Sequence, residues 1–583
     1  VNRKMKKTTI TFLVSALLLI SGLQAQTVQD GKNHLFAQRY NSAISAFEKM
    51  LATNPNNIEA IYWLGQSYLE NDEIMAARIA AARQLYEKAM QSTNSAPLII
   101  VGMGHVDLLE NKTSDARQKF ETALTMTRTK KGDNVDILNA VGRANTDAKS
   151  GDFNYAIEKL QAAADKGEKN AETFVLLGNA YRKARPGEGG GEAFRNYKKA
   201  LEVNPNFSLA SLRLAKLFES QKNWDLVLQN LNEATAKDPK FTAAYYELFY
   251  YYFYRVDYPS AEGQLQKYID SKLPDKDIQD EFLYSQLCWA RKDFNCAITK
   301  GESVVSALGS KTKPKVYRLL ADAYFHKGDY ANAKKYSDEF FAKKNPDDYI
   351  SYDHKLRADI MSKTGGSPDE IYNNYLQGAE LDTLLTGKVD FLKQGIAYFK
   401  ENKIRDKEAM LIEKVISLKP NPTINDYFDL ALALYFGKQH EKSRVAAVTM
   451  IEKFPDQIYG YEWAYNNSIA VMTDTLRSDT ARKTYKESTG IPDVLKLYEF
   501  TNKDTAKFKK QYINSVRYLA AYYINDAKDR DKSLEFFKKW LEADPANAST
   551  IQEYINQIEK MPSRPPAPKN GSPKPASVPG KTP

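Results

Sequence analysis

A two-helix unit that restarts at intervals close to 34 residues constrains this chain more than any other feature. In Ala215-Lys216-Leu217-Phe218, then Asn223-Trp224, Val227, Leu231, Ala234 and Asp238-Pro239, small and apolar residues recur at three- and four-residue steps around one polar turn. That spacing puts them on one face of each of two consecutive helices. The grammar returns with Gly65, Tyr68, Ala82, Tyr86 and Ala89, and with Gly178, Tyr181, Ala193, Tyr197, Ala200 and Pro205. It returns again at Ala321, Tyr324, Gly328-Asp329-Tyr330, Ala333 and Pro346, at Ala431, Leu434, Ser443, Ala447, Met450 and Pro455, and at Ala521, Ser533, Phe537, Trp540 and Asp544-Pro545. The small residue lets two helices approach, the aromatic fills the space between hairpins, and the proline stops the second helix. A single such hairpin cannot hide its apolar face, so copies must stack.

These residues resemble the tetratricopeptide repeat family, most closely at Trp63-Leu64-Gly65-Gln66-Ser67-Tyr68, and degenerate copies run from about residue 31 to 561. The resemblance implies an all-α fold, a right-handed superhelical solenoid of stacked helix hairpins. Two departures lengthen turns without disturbing helix faces: five extra residues between Tyr68 and Ala82, and three in the segment Arg185-Pro186-Gly187-Glu188-Gly189-Gly190-Gly191. That glycine run has no following Lys-Ser or Lys-Thr and no preceding strand, so it is a hairpin loop and not a phosphate cradle. The organisation reads as a leader at 1–25, an N-terminal array at 26–240, and a central array with an aromatic groove at 241–457. An irregular or divergent repeat follows at 458–509, then a last repeat and capping helix at 510–561, and a Pro-rich basic tail at 562–583 with eight prolines in 22 residues.

The net charge of +10 invites a nucleic-acid reading, which its distribution removes. Arg3, Lys4, Lys6 and Lys7 near the start, and Arg564, Lys569, Lys574 and Lys581 near the end, carry eight of those charges, leaving a body of about +2. No concentrated basic stripe remains to neutralise phosphates. The basic start, the apolar run Ile10 to Leu23 and the small residues around Ala25 make a secretory signal peptide with cleavage after Ala25, since the run is too short to span a bilayer. No cysteine lies near the cleavage region to carry a lipid anchor. The expected location is therefore outside the inner membrane of a bacterium, periplasmic or associated with the outer membrane, with no integral span in the mature chain.

Catalytic chemistry is not legible. His34, His105, His326, His354 and His440 are scattered over different repeats with no metal-ligand spacing, and there is no nucleophile elbow, Walker loop or dinucleotide fingerprint. The expectation is no enzyme, no metal and no cofactor. Cys288 and Cys296, the only cysteines, stand eight apart across one predicted turn, where an oxidising compartment could join them; two buried thiols are the alternative.

In the family, ligands lie along the concave face, on residues three before, one after and four after the small residue of each first helix. Carried onto this chain, those positions are Tyr246, Tyr250 and Phe253, then Phe282, Gln286 and Trp289, then Arg318, Asp322 and Phe325. Aromatics and an arginine are the composition of interface anchors. A second candidate, Asn179, Arg182, Lys183, Arg213 and Lys216, resembles parts of the family's carboxylate clamp, although the basic residue expected before Asn179 is Val175. The resulting expectation is a non-catalytic scaffold of the cell envelope that holds a peptide or partner protein. The alternative is a glycan-binding component of an outer-membrane nutrient-uptake system, because tyrosine also stacks on sugars.

Overall fold

The computed structural model describes residues 27–70, 75–166, 169–345 and 348–562. The expected leader, Pro346 and all of the Pro-rich tail after Pro562 lie outside the described residues. Within them the chain is all helix, with no strand and one isolated bridge between Thr129 and Gly132. Two compact units divide at Ala323/Tyr324, inside the stretch read from sequence as one central array.

The first unit is a file of antiparallel helix pairs. They are α1 (Val28–Phe36) with α2 (Tyr40–Thr53), α3 (Ile58–Glu70) with α4 (Met75–Ser92), α5 (Pro97–Leu109) with α6 (Thr113–Thr127), and α7 (Val135–Asp147) with α8 (Phe153–Asp165). Then come α9 (Ala171–Ala184) with α10 (Gly190–Val203), α11 (Ser208–Ser220) with α12 (Trp224–Lys237), α13 (Thr242–Phe253) with α14 (Tyr258–Lys272), and α15 (Glu281–Ala290) with α16 (Phe294–Leu308). The unit boundary falls within α17 (Pro314–Lys327). The second unit continues through α18 (Tyr330–Lys343) to pairs of the same kind, among them α19 (Ile424–Phe436) with α20 (His440–Lys453).

Each pair forms for local reasons. Gly65 and Gly178 sit where a side chain would collide with the next helix: a Cβ at Gly65 would fall 2.2 Å from Tyr86, and one at Gly178 would fall 2.5 Å from Tyr197. Tyr86 and Tyr197 are fully buried, so the glycine and tyrosine of each repeat are one packing device. Turns reuse one chemistry. Lys222, Val256 and Lys292 take left-handed backbone at φ 56°, 62° and 62°, and the next residue, Asn223, Asp257 or Asp293, caps the second helix. The glycine-rich loop at 185–191 is also a hairpin turn, with Gly187 at φ 85° and α10 starting at Gly190.

The stretch 458–509 is helical. A helix at Ile458–Met472 packs on one at Ile491–Thr501, with a short helix at Asp479–Tyr485 and a π-turn at Lys486–Gly490 between them. Buried Asp493 holds the join, accepting from Arg444 Nη2 at 2.9 Å and Ser468 Oγ at 2.6 Å. The register blurs in the sequence because an extra helix is inserted inside one hairpin. No described helix is long and apolar enough to cross a membrane.

Candidate functional site

The first helices of hairpins three and four are buried on nearly every side. Ile99 to Leu108 of α5 and Ile137 to Thr146 of α7 are all covered, which an open solenoid would not do to the helices lining its inner face. The reason is contact across the turn of the first unit. Lys32 of α1 pairs with Glu172 of α9 at 2.8 Å, and Glu172 also pairs with Arg143 of α7. Trp63 of α3 lies beneath both cations, 4.6 Å from Lys32 and 4.8 Å from Arg143. Phe36 meets Phe207 edge-on at 5.9 Å, and the Ser42 amide donates to Asp275 at 2.8 Å. The first hairpin therefore closes on hairpins five to seven. Between them remain cavities of about 440, 270 and 250 Å³, each bordered by Glu172.

This closure decides the fate of the basic candidate. Asn179, Lys183 and Arg213 come together on the cavity of about 250 Å³, facing Glu70, Asp147 and Glu172. Asn179 accepts from the Tyr197 hydroxyl at 2.8 Å, and Lys183 donates to the Thr146 carbonyl. Lost hydration, with Asp147 nearby, raises the Glu70 carboxyl above the ordinary carboxylate range. Arg182 lies beside Tyr197, and Lys216 faces elsewhere. Lys183 and Arg213 thus share their cavity with carboxylates of their own chain.

Of the aromatic candidates, Tyr246, Tyr250 and Phe253 do form one cluster on α13, with ring centroids 5.0 Å apart for Tyr246 and Tyr250 and 6.2 Å for Tyr250 and Phe253. The Tyr250 hydroxyl donates to Gln286 at 3.1 Å, and burial raises its pKa. Trp289 is half-buried and donates through Nε1 to Asp322 at 3.0 Å. Phe282 is a correction: expected in the groove, it is 4% exposed, because Lys315 at the start of α17 lies over its ring at 4.8 Å. Arg318 is half-buried in the first unit, whereas Phe325 belongs to the second, against Tyr330 at 5.6 Å. Cys288 and Cys296 are joined by a disulfide across the turn between α15 and α16, with Cα atoms 5.7 Å apart.

The open aromatic surface lies one hairpin edge away from the expected one. A cavity of about 480 Å³ between α11, α12 and α13 has Ala215, Val227 and Leu231 on its floor. Trp224 and Tyr254 stand at its mouth, 42% and 75% exposed. Arg255 spans the wall, 4.5 Å over Trp224 and 3.7 Å over Tyr251, while Tyr250 and Tyr254 stack at 5.7 Å. On the opposite lip Lys216 pairs with Glu219 at 2.6 Å and Glu247 at 3.1 Å. Sequence reasoning reached Tyr250 and Lys216 but missed Trp224, Tyr251, Tyr254 and Arg255. The available signal was a tryptophan directly after a polar turn, a position where a large ring has no hairpin core to enter.

Residues 35–79 match the tetratricopeptide repeat family. No curated protein matches the chain. Among solved structures it is similar to the C-terminal part of a tetratricopeptide repeat protein from Cytophaga hutchinsonii, at 24% identity over 48% of this chain and 100% of that one, with a TM-score of 0.25. It is also similar to a tetratricopeptide repeat protein from Parabacteroides merdae, at 19% identity over 44% and 97% of the two chains, TM-score 0.36. A third is YrrB, a tetratricopeptide repeat protein with an unusual peptide-binding site, at 20% identity over 35% and 97%, TM-score 0.22. No group of His, Cys, Asp and Glu among the described residues could hold a metal ion.

Proposed function

We propose that this protein is a non-catalytic interaction scaffold, exported to a bacterial cell envelope, that holds a peptide or a partner protein on the aromatic surface of its sixth and seventh hairpins. The exposed Trp224, Tyr254 and Arg255 around an apolar floor carry this reading. Rigid amphipathic rings that stay outside the core are the usual anchors of a protein interface. The first helices of hairpins three and four are already covered by the chain itself, so they offer little room for an external ligand. Export rests on the leader-like first 25 residues and agrees with a disulfide between Cys288 and Cys296.

A photoreactive amino acid placed at Tyr254 in living cells should yield one discrete cross-linked adduct outside the cytoplasm. Trp224→Ala should remove it, whereas the same probe at exposed Tyr459 should give none. An adduct that ignores Trp224→Ala refutes the site; an adduct confined to the cytoplasm refutes the location.

A further inference from the structure

The hydrogen-bonding character of the aromatic cavity selects among peptide ligands. Trp224 Nε1 and the hydroxyls of Tyr251 and Tyr254 have no hydrogen-bond partner among the described residues, and all three rings border the cavity. Arg255 gives one N–H to the Tyr251 carbonyl at 2.8 Å and leaves the rest of its guanidinium at the mouth. The wall is therefore rich in donors set between aromatic faces. A helical peptide has already used its carbonyls internally and cannot answer such a wall. A polyproline II segment has the reverse endowment: proline lacks the amide N–H, every carbonyl points outward unsatisfied, and the flat pyrrolidine rings stack on aromatic side chains.

The opposite lip supplies a polarity. Glu219 and Glu247 share the single ammonium of Lys216, so two carboxylates face one cation there. A basic residue at one end of the ligand would balance the lip, and an acidic one would be repelled. We infer that the cavity bordered by Trp224, Tyr251, Tyr254 and Arg255 docks an extended, proline-rich peptide with a basic flank. This rests on the interaction-scaffold reading and names the chemistry of its partner.

The chain's own residues 562–583, with eight prolines, four basic residues and no acid, have the required composition and serve as the probe. A fluorescently labelled synthetic peptide of that sequence, titrated at low salt into the full chain with its own tail prolines changed to alanine so that the tail does not compete, should bind saturably. Replacing its prolines with alanine should weaken it about tenfold or more, and Tyr254→Ala or Trp224→Ala in the protein should do the same. Tyr254 is mostly exposed, so its alanine variant retains the fold, which circular dichroism and Tm would verify. Glu219→Gln with Glu247→Gln should weaken the basic peptide about threefold or more while leaving a variant with its Arg and Lys changed to Gln unaffected. Equal binding of the alanine peptide, indifference to Tyr254→Ala, or absence of binding would each overturn the inference. If the Tyr254 cross-link of the preceding experiment persists while the peptide fails to bind, the scaffold reading survives and only the ligand class falls. If both fail, the site itself is wrong.

Discussion

At the scale of single residues, the most telling group is a histidine that no chemistry uses. His105 sits in α5 at 4% exposure and donates through Nδ1 to Gln66 at 3.0 Å; Gln66 donates to the Tyr86 hydroxyl at 3.1 Å, which donates to the Tyr62 carbonyl at 2.8 Å. Burial pushes the imidazole pKa down to about 4. As pH falls from about 6.5 towards 4, the unfolded chain binds a proton that the folded chain refuses, so stability is lost across that window and is intact above it. The full loss is about 3 kcal/mol for this one group. Urea unfolding of wild type and His105→Gln between pH 7 and 4 should show midpoints that converge in acid, because the variant lacks the titrating group. Parallel pH dependence in the two proteins would show that His105 takes up its proton as readily in the fold as in the unfolded chain. His105, read from sequence as a helix-surface or packing residue, is packed. Its chain of hydrogen bonds was not legible, because Gln66 and His105 come from different hairpins.

At the scale of elements, the hairpin is written locally and so is almost entirely legible. Gly65 and Tyr86, or Gly178 and Tyr197, are about twenty residues apart and touch because a glycine is the only residue that lets the ring in. The caps were legible at Asn223 and Asp329, which follow the last apolar residue of one helix and precede the first of the next. Less visible was the left-handed residue just before the cap. At Val256 a β-branched side chain, 67% exposed and so without packing to offset its strain, holds φ at 62°. Val256→Gly should therefore raise stability by about 1 kcal/mol despite the added freedom of the unfolded chain, seen as a higher denaturation midpoint at unchanged m. A lower midpoint would show that the turn is not strained there. Phe282 teaches the complementary lesson: its helical phase pointed to the groove, yet it is buried with Lys315 over its ring.

At the scale of the whole molecule, the first unit closes on itself. Its first hairpin reaches residues more than a hundred positions away, through Lys32 and Glu172, Phe36 and Phe207, Ser42 and Asp275. Replacing Lys32 and Phe36 with alanine should loosen this closure without melting the hairpins. Amide exchange at the start of α9 and of α11 should accelerate about tenfold or more, while α15 and α16 keep wild-type protection. Unchanged exchange at residues 171–177 and 208–212 would mean that hairpins two to six stay covered without the clasp. Local pattern alone determined that this chain folds into stacked helix pairs, because apolar periodicity, the glycine–tyrosine pairing and the capped turns act within a few tens of residues. Tertiary structure decided which inner surfaces close on themselves and which rings stay outside. That outcome depends on a small rotation accumulated from hairpin to hairpin, and no single repeat encodes the sum.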